Sequence, residues 1–125
     1  MDQIKMEFPK KLEDFGKIKM SRNGWAVGYV KLIRNNNTVI LADIYIYDRS
    51  PRVFQFLFNF KREMNFRRRG FGSELLAKTI EFCKNHGIEE IKGTAKGDLD
   101  MLIPWYEKHG FAIDENNGIY LKLNS

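Results

Sequence analysis

At 125 residues the chain is long enough for one domain with a real core and too short for two. Its single cysteine, Cys83, excludes an internal disulfide and a cysteine-rich zinc site, which points to a reducing compartment. The net charge of +5 is modest for a nucleic-acid binder, and with no apolar run approaching a membrane span and no signal-peptide core in Met1-Asp2-Gln3-Ile4-Lys5, the expectation is a soluble, cytoplasmic protein.

In chain order, Ile4, Met6 and Phe8 begin a short edge strand or an irregular arm, followed by Pro9-Lys10-Lys11 and an acidic-apolar stretch to Phe15. From Lys17 the pattern is that of strands. Lys17 to Met20 alternates, Arg22-Asn23-Gly24 is a turn signal, and Trp25 to Ile33 is rich in β-formers. Asn35-Asn36-Asn37 closes that segment and Thr38 to Tyr47 is the next, ended by Asp48-Arg49-Ser50-Pro51. Phe54, Phe56, Phe58 and Phe60 then recur with a period of two, so residues 53–62 read as a further strand with a buried aromatic face.

Residues 61–69 concentrate the basic excess, with Lys61, Arg62, Arg67, Arg68 and Arg69 against Glu63. Gly70 and Gly72 follow immediately, and Leu75, Leu76, Thr79, Ile80, Phe82 and Cys83 then recur at helical spacing until Asn85-His86-Gly87 stops the helix. A basic turn with glycines at a helix start suits a small polyanion. Glycine permits positive φ and close backbone approach, and the first helical turn offers N–H groups and partial positive charge. Ile88 to Thr94 reads as a strand parallel to the one before the helix. Asp98 or Asp100 can cap a second helix through Trp105 and Tyr106 to Gly110, with Pro104 tolerable only in its first turn. Phe111 to Ile113, the turn Asn116-Asn117-Gly118, and Ile119 to Leu123 complete a hairpin.

Two stretches together resemble the GNAT superfamily of acetyl-CoA-dependent N-acetyltransferases. One is the [Arg/Gln]-x-x-Gly-x-[Gly/Ala] loop, here Arg67 to Gly72 before Ser73-Glu74-Leu75-Leu76; the other is Tyr-x-Lys-x-Gly-Phe, here Tyr106 to Phe111. The resemblance covers roughly residues 25–123. It implies an α+β fold: a mixed, mostly antiparallel sheet of six to seven strands with two main helices, splayed between its fourth and fifth strands. It divides the single domain of residues 1–125 into a divergent part at 1–24, an acetyl-CoA-binding strand-turn-helix at 53–86, and a C-terminal helix and hairpin at 98–123. The helical pair that usually follows the first strand is reduced or absent, since only Pro9 to Phe15 is available for it.

For the site, the resemblance implies acetyl-CoA as co-substrate, no metal, and pyrophosphate held by Arg67, Arg68, Arg69, Gly70, Phe71, Gly72 and Ser73. Tyr106 would be the general acid. Its phenol, with an ordinary pKa of about 10, is matched to a thiolate leaving group. The amine would attack the thioester directly, so Cys83 is not needed as a nucleophile. Glu63, at the end of the preferred fourth strand 53–62, and Asp43, among tyrosines, are the candidate bases. Residues 38–47 are the alternative fourth strand. His86 and His109 lie at helix C-termini, where an imidazolium is favoured without catalytic duty.

The acceptor is expected to be a small-molecule or peptide amine, and no membrane partner is expected. A non-catalytic module using the basic turn for a nucleic acid or a protein is the alternative, although no nucleic-acid motif accompanies the arginines. Homodimer formation, through the C-terminal strands or the face lacking helices, is left open.

Overall fold

The computed structural model describes residues 3–12, 14–46 and 70–123. Seven strands form one sheet: β1 (Ile4–Glu7), β2 (Phe15–Arg22), β3 (Trp25–Asn35), β4 (Thr38–Ile46), β5 (Glu90–Thr94), β6 (Ala112–Ile113) and β7 (Gly118–Lys122). Helix α1 (Phe71–Asn85) lies between β4 and β5, and α2 (Leu99–Lys108) between β5 and β6. The strand order is β1-β2-β3-β4-β5-β7-β6, and only the β4–β5 pairing is parallel. Among the described residues this is the mixed, mostly antiparallel sheet with two helices expected from the sequence.

The turns follow from their residues. Between β2 and β3, Asn23 (φ 52°) and Gly24 (φ 86°) both adopt the left-handed conformation, as a two-residue hairpin twisted like its strands requires. Between β6 and β7, one carboxylate oxygen of Asp114 accepts the N–H groups of Asn116 and Gly118, each at 2.8 Å, and ties that turn to itself.

Side chains alternate along β2, with Ile18 and Met20 fully buried and Lys17 and Lys19 exposed. Helix α1 packs on β3 and β4. It buries Leu75, Leu76, Thr79 and Cys83 in one core with Ile18, Val30, Leu32, Val39 and Leu41. Thr79 meets the cost of its buried hydroxyl by donating to the Leu75 carbonyl at 2.8 Å.

Three expectations are corrected. The fourth strand is Thr38–Ile46, not residues 53–62, because it is the strand seated between β3 and β5; residues 53–62, with their phenylalanines, lie outside the described residues. Pro104 sits in the interior of α2 rather than its first turn, leaving the Asp100 carbonyl without its usual i+4 amide donor. His109 meets the opposite influence: burial, with Lys108 adding to it, lowers its pKa and so disfavours the imidazolium, and its Nε2 is buried without a hydrogen-bond partner among the described residues.

The connection from β1 to β2 contains no helix among the described residues. It folds to the α1 side of the sheet instead. Phe8 stacks on Phe82 of α1 with ring centroids 5.2 Å apart, and Leu12 is buried against Gly16. Arg34 of β3 clasps the connection, its guanidinium donating to the Leu12 carbonyl at 2.9 Å and its backbone N–H to the Asp14 carbonyl at 2.9 Å.

Cys83 is fully buried, and burial pushes its thiol pKa up to about 12, against a smaller lowering effect of Arg34. The folded state therefore holds this proton more tightly than the unfolded state. Stability from this source is complete below about pH 9, the unfolded thiol's range, and is lost as pH rises toward 12. A melting-temperature series should be flat through neutral pH and fall above 9, with Cys83→Ala falling less steeply than the parent. Gly28 gives a second test. A Cβ there would collide with the Tyr45 carbonyl oxygen and come within 2.6 Å of Ile46 Cδ1. Gly28→Ala should cost about 1–3 kcal/mol in denaturant unfolding.

Candidate functional site

The site begins at a break in the sheet. Lys31 pairs with Asp43 but its neighbour Leu32 pairs with Leu41, so Ala42 is an extra residue on β4, a β-bulge. The parallel pairing of β4 with β5 runs from Thr38↔Glu90 to Leu41↔Gly93 and ends at that bulge. Beyond it Ala42, Asp43 and Ile44 have no β5 partner, and the two strands part. The bulge leaves room between strands that would otherwise be about 4.8 Å apart.

Helix α1 starts beside this gap. Gly70 is its N-cap with φ 78° and has no side chain to cap the helix; a Cβ built there meets nothing within 4 Å. The first intrahelical bond is Glu74 N–H to the Gly70 carbonyl at 3.1 Å, so the amides of Gly72 and Ser73 precede the helical ladder. Gly72 is enclosed on one side: a Cβ there would lie 3.5 Å from Trp105 and 3.6 Å from Ile46. Trp105 donates its indole N–H to the Ser73 hydroxyl at 2.7 Å, which fixes α2 against the start of α1.

Tyr106 is buried, with only 4% of its surface exposed, and is held edge-on by Trp105 (4.9 Å between centroids) and Phe111 (5.5 Å). Its pKa is raised, chiefly by burial and secondly by the negative charge of Asp43. No hydrogen bond engages the Tyr106 hydroxyl among the described residues. Asp43 is exposed on β4 next to the bulge, and its carboxylate accepts from the Tyr29 hydroxyl at 3.1 Å.

Of the residues singled out from the sequence, Gly70, Phe71, Gly72 and Ser73 thus open α1, Asp43 lies on β4 just past the bulge, and Tyr106 is the buried residue of α2. Glu63, Arg67, Arg68 and Arg69 lie outside the described residues. Trp105 and the Ala42 bulge were not identified from the sequence. A tryptophan beside the motif tyrosine was the available signal for the first, whereas a bulge has no residue signature here. His86 lies away from the gap, donating from Nδ1 to the Phe82 carbonyl at 2.8 Å. No group of three or more potential metal ligands occurs among the described residues, and none of their helices is long and apolar enough to cross a membrane.

Solved structures share this architecture. An N-acetyltransferase (PaiA) of Thermoplasma acidophilum in complex with coenzyme A superposes with a TM-score of 0.65 at 18% identity, over 87% of this chain and 61% of that one. A Bacillus subtilis acetyltransferase in complex with CoA gives 0.69 at 17% identity, over 98% and 100% of the two chains. The ribosomal-protein-alanine N-acetyltransferase of Escherichia coli gives 0.69 at 13% identity, over 100% and 96%. At these identities the likeness carries the fold. No curated protein matches the chain. The profile described as Acetyltransferase (GNAT) family matches residues 9–111, most of the sequence, and with the break between β4 and β5 and the glycine-capped α1 it establishes that the chain belongs to the GNAT acetyltransferase family.

Proposed function

We propose that the protein transfers acetyl from acetyl-CoA to a primary amine by direct attack, with Tyr106 as general acid and Asp43 as general base. The observation that carries this reading is the glycine-capped start of α1 beside the point where the β4–β5 pairing ends, with Asp43 on β4 just past that point and the buried Tyr106 on α2. The residues suit the co-substrate. Gly70 and Gly72 let a pyrophosphate approach the amides of α1, and Arg67, Arg68 and Arg69 immediately precede Gly70 in the sequence. Acetyl-CoA supplies the activated thioester; the chain orients it and moves protons.

Asp43 takes a proton from the acceptor ammonium, directly or through one water, and so exposes the attacking lone pair. It replaces Glu63 as the preferred base because its charge is felt at Tyr106 and because Tyr29 holds its carboxylate. A backbone N–H of β4 next to the bulge, released from pairing with β5, polarises the acetyl carbonyl. Tyr106 returns a proton to the departing thiolate. Its raised pKa keeps it protonated through the whole neutral range, so loss of the acid form limits turnover only above the ordinary phenol value.

Calorimetry with CoA and acetyl-CoA on the purified protein is the first test, and absence of binding at millimolar concentration would falsify the reading. Gly72→Trp should abolish CoA binding while Gly72→Ala retains it, because a methyl group finds ordinary contact distances there and an indole does not. Tyr106→Phe and Asp43→Asn should each lower kcat for thiol release by about 10²-fold with CoA affinity nearly unchanged. A phenylalanine variant with full turnover would remove Tyr106 from the mechanism.

A further inference from the structure

Among the described residues, the short connection from β1 to β2 leaves one face of β2 and β3 uncovered. Because Phe8 and Leu12 go to the α1 side, the opposite face carries Phe15 at 61% exposure, Ile33 at 40%, and the exposed Lys17 and Lys19. Register sets them in rows. Lys17, Lys31 and Asp43 lie side by side on β2, β3 and β4, and Lys19, Tyr29 and Tyr45 form the adjacent row.

Tyr29 is the centre of this arrangement. Lys17 Nζ lies 4.6 Å and Lys31 Nζ 5.7 Å from its ring centroid, while its hydroxyl donates to Asp43. The ring thus gathers two ammonium groups beside the proposed base. None of Lys17, Lys19 and Lys31 forms an ion pair among the described residues, although Glu7 stands opposite Lys19 on β1. A cavity of about 400 Å³ opens over Lys17, Lys19, Ser21, Ala26 and Tyr29, with Glu7 at its rim. Two cations over one ring repel each other, with Asp43 beside Lys31 offsetting this at one end only, and an anion entering the cavity relieves the rest at the Lys17 and Lys19 end.

We propose that this cavity holds the anionic end of the acceptor, whose amine lies at Asp43 beyond its lining, and that the site selects amines bearing an anionic group about 10 Å from the nitrogen, the span of two strand spacings from Asp43 to Lys17. The inference rests on the acetyl-transfer reading for the position of the amine. A peptide N-terminus with glutamate at its second and third residues has this chemistry, and so has an ω-aminoalkanoate of matched length. The amine lies at Asp43 and the carboxylate between Lys17 and Lys19. Glu7 disfavours an acceptor with a second cation at that end.

The test uses the full-length protein with two pairs of probes: the peptide Ala-Glu-Glu-Ala against Ala-Gln-Gln-Ala, both C-terminally amidated, and an ω-aminoalkanoate against its amide. Equilibrium binding is read without co-substrate, and thiol release with acetyl-CoA. Acidic members should bind and react at least tenfold better than their neutral partners, and the preference should shrink at high salt as screening requires. The double variant Lys17→Glu, Lys19→Glu should bring the ratio to one or invert it, with circular dichroism and CoA affinity as checks on the fold. A preference in the peptide pair alone assigns the subsite to peptides, and in the aminoalkanoate pair alone to small molecules. Equal rates and affinities for acidic and neutral members, or a preference that survives the double variant, overturn the proposal while leaving acetyl transfer intact. Selective binding of the acidic probes without thiol release upholds the subsite and overturns the transfer.

Discussion

The extra residue at Ala42 separates two regimes of the sheet. Up to Leu41, β4 pairs in parallel with β5 and the sheet is continuous. One residue further, β4 still pairs with β3 but has left β5, and its edge faces a gap instead of a strand. Closing the ladder would fill that space with backbone hydrogen bonds, so the bulge costs pairing energy in exchange for room. The packing around it holds the opening. Ile46 and Trp105 flank Gly72 at the start of α1, and the Trp105–Ser73 hydrogen bond locks α2 to the same point. Three elements distant in sequence thereby converge on one break.

Much of this was legible from the residues. Alternation marked β2 and β3, positive-φ residues marked the hairpins, and the spacing of Leu75, Leu76, Thr79, Phe82 and Cys83 marked α1 and its buried stripe. The fourth strand was misassigned because two adjacent segments both read as strands, and the one nearer the glycine turn was preferred. Alternation states that a segment can be a strand, whereas which neighbour it pairs with is decided by tertiary contacts. Thr38–Ile46 won the position by its hairpin with β3 at Asn36 (φ 57°), a local turn that sets register directly. Pro104 was constrained to the first turn by propensity alone. The packing of Leu99, Leu102, Trp105 and Tyr106 against the core outweighs one lost helical hydrogen bond.

The shift of the proposed base from Glu63 to Asp43 has the same origin. A carboxylate's suitability depends on what surrounds it, and nothing in the sequence shows that Tyr29 holds Asp43 beside the bulge. The bulge also alters what the residues around it do. Without it, the unbroken alternation of Val39 and Leu41 would turn Asp43 to the α1 side, into the core. The added residue reverses that parity, and Asp43 joins Lys17 and Lys31 on the open face.

The reduced β1–β2 connection completes the argument. A connection long enough to lay helices on the open face would cover Phe15, Ile33 and the lysine row, and would supply its own walls to an acceptor. Among the described residues Arg34 and Phe82 draw the connection to the other side, and the sheet itself supplies the wall. A sheet offers side chains at fixed lattice spacings, which is a stiffer kind of recognition than loops provide. On that lattice Tyr29 touches both functions at once, its hydroxyl on Asp43 and its ring under the lysines. A change at this one residue would therefore disturb base orientation and acceptor charge selection together, whereas changes at Lys17 or Asp43 would separate them.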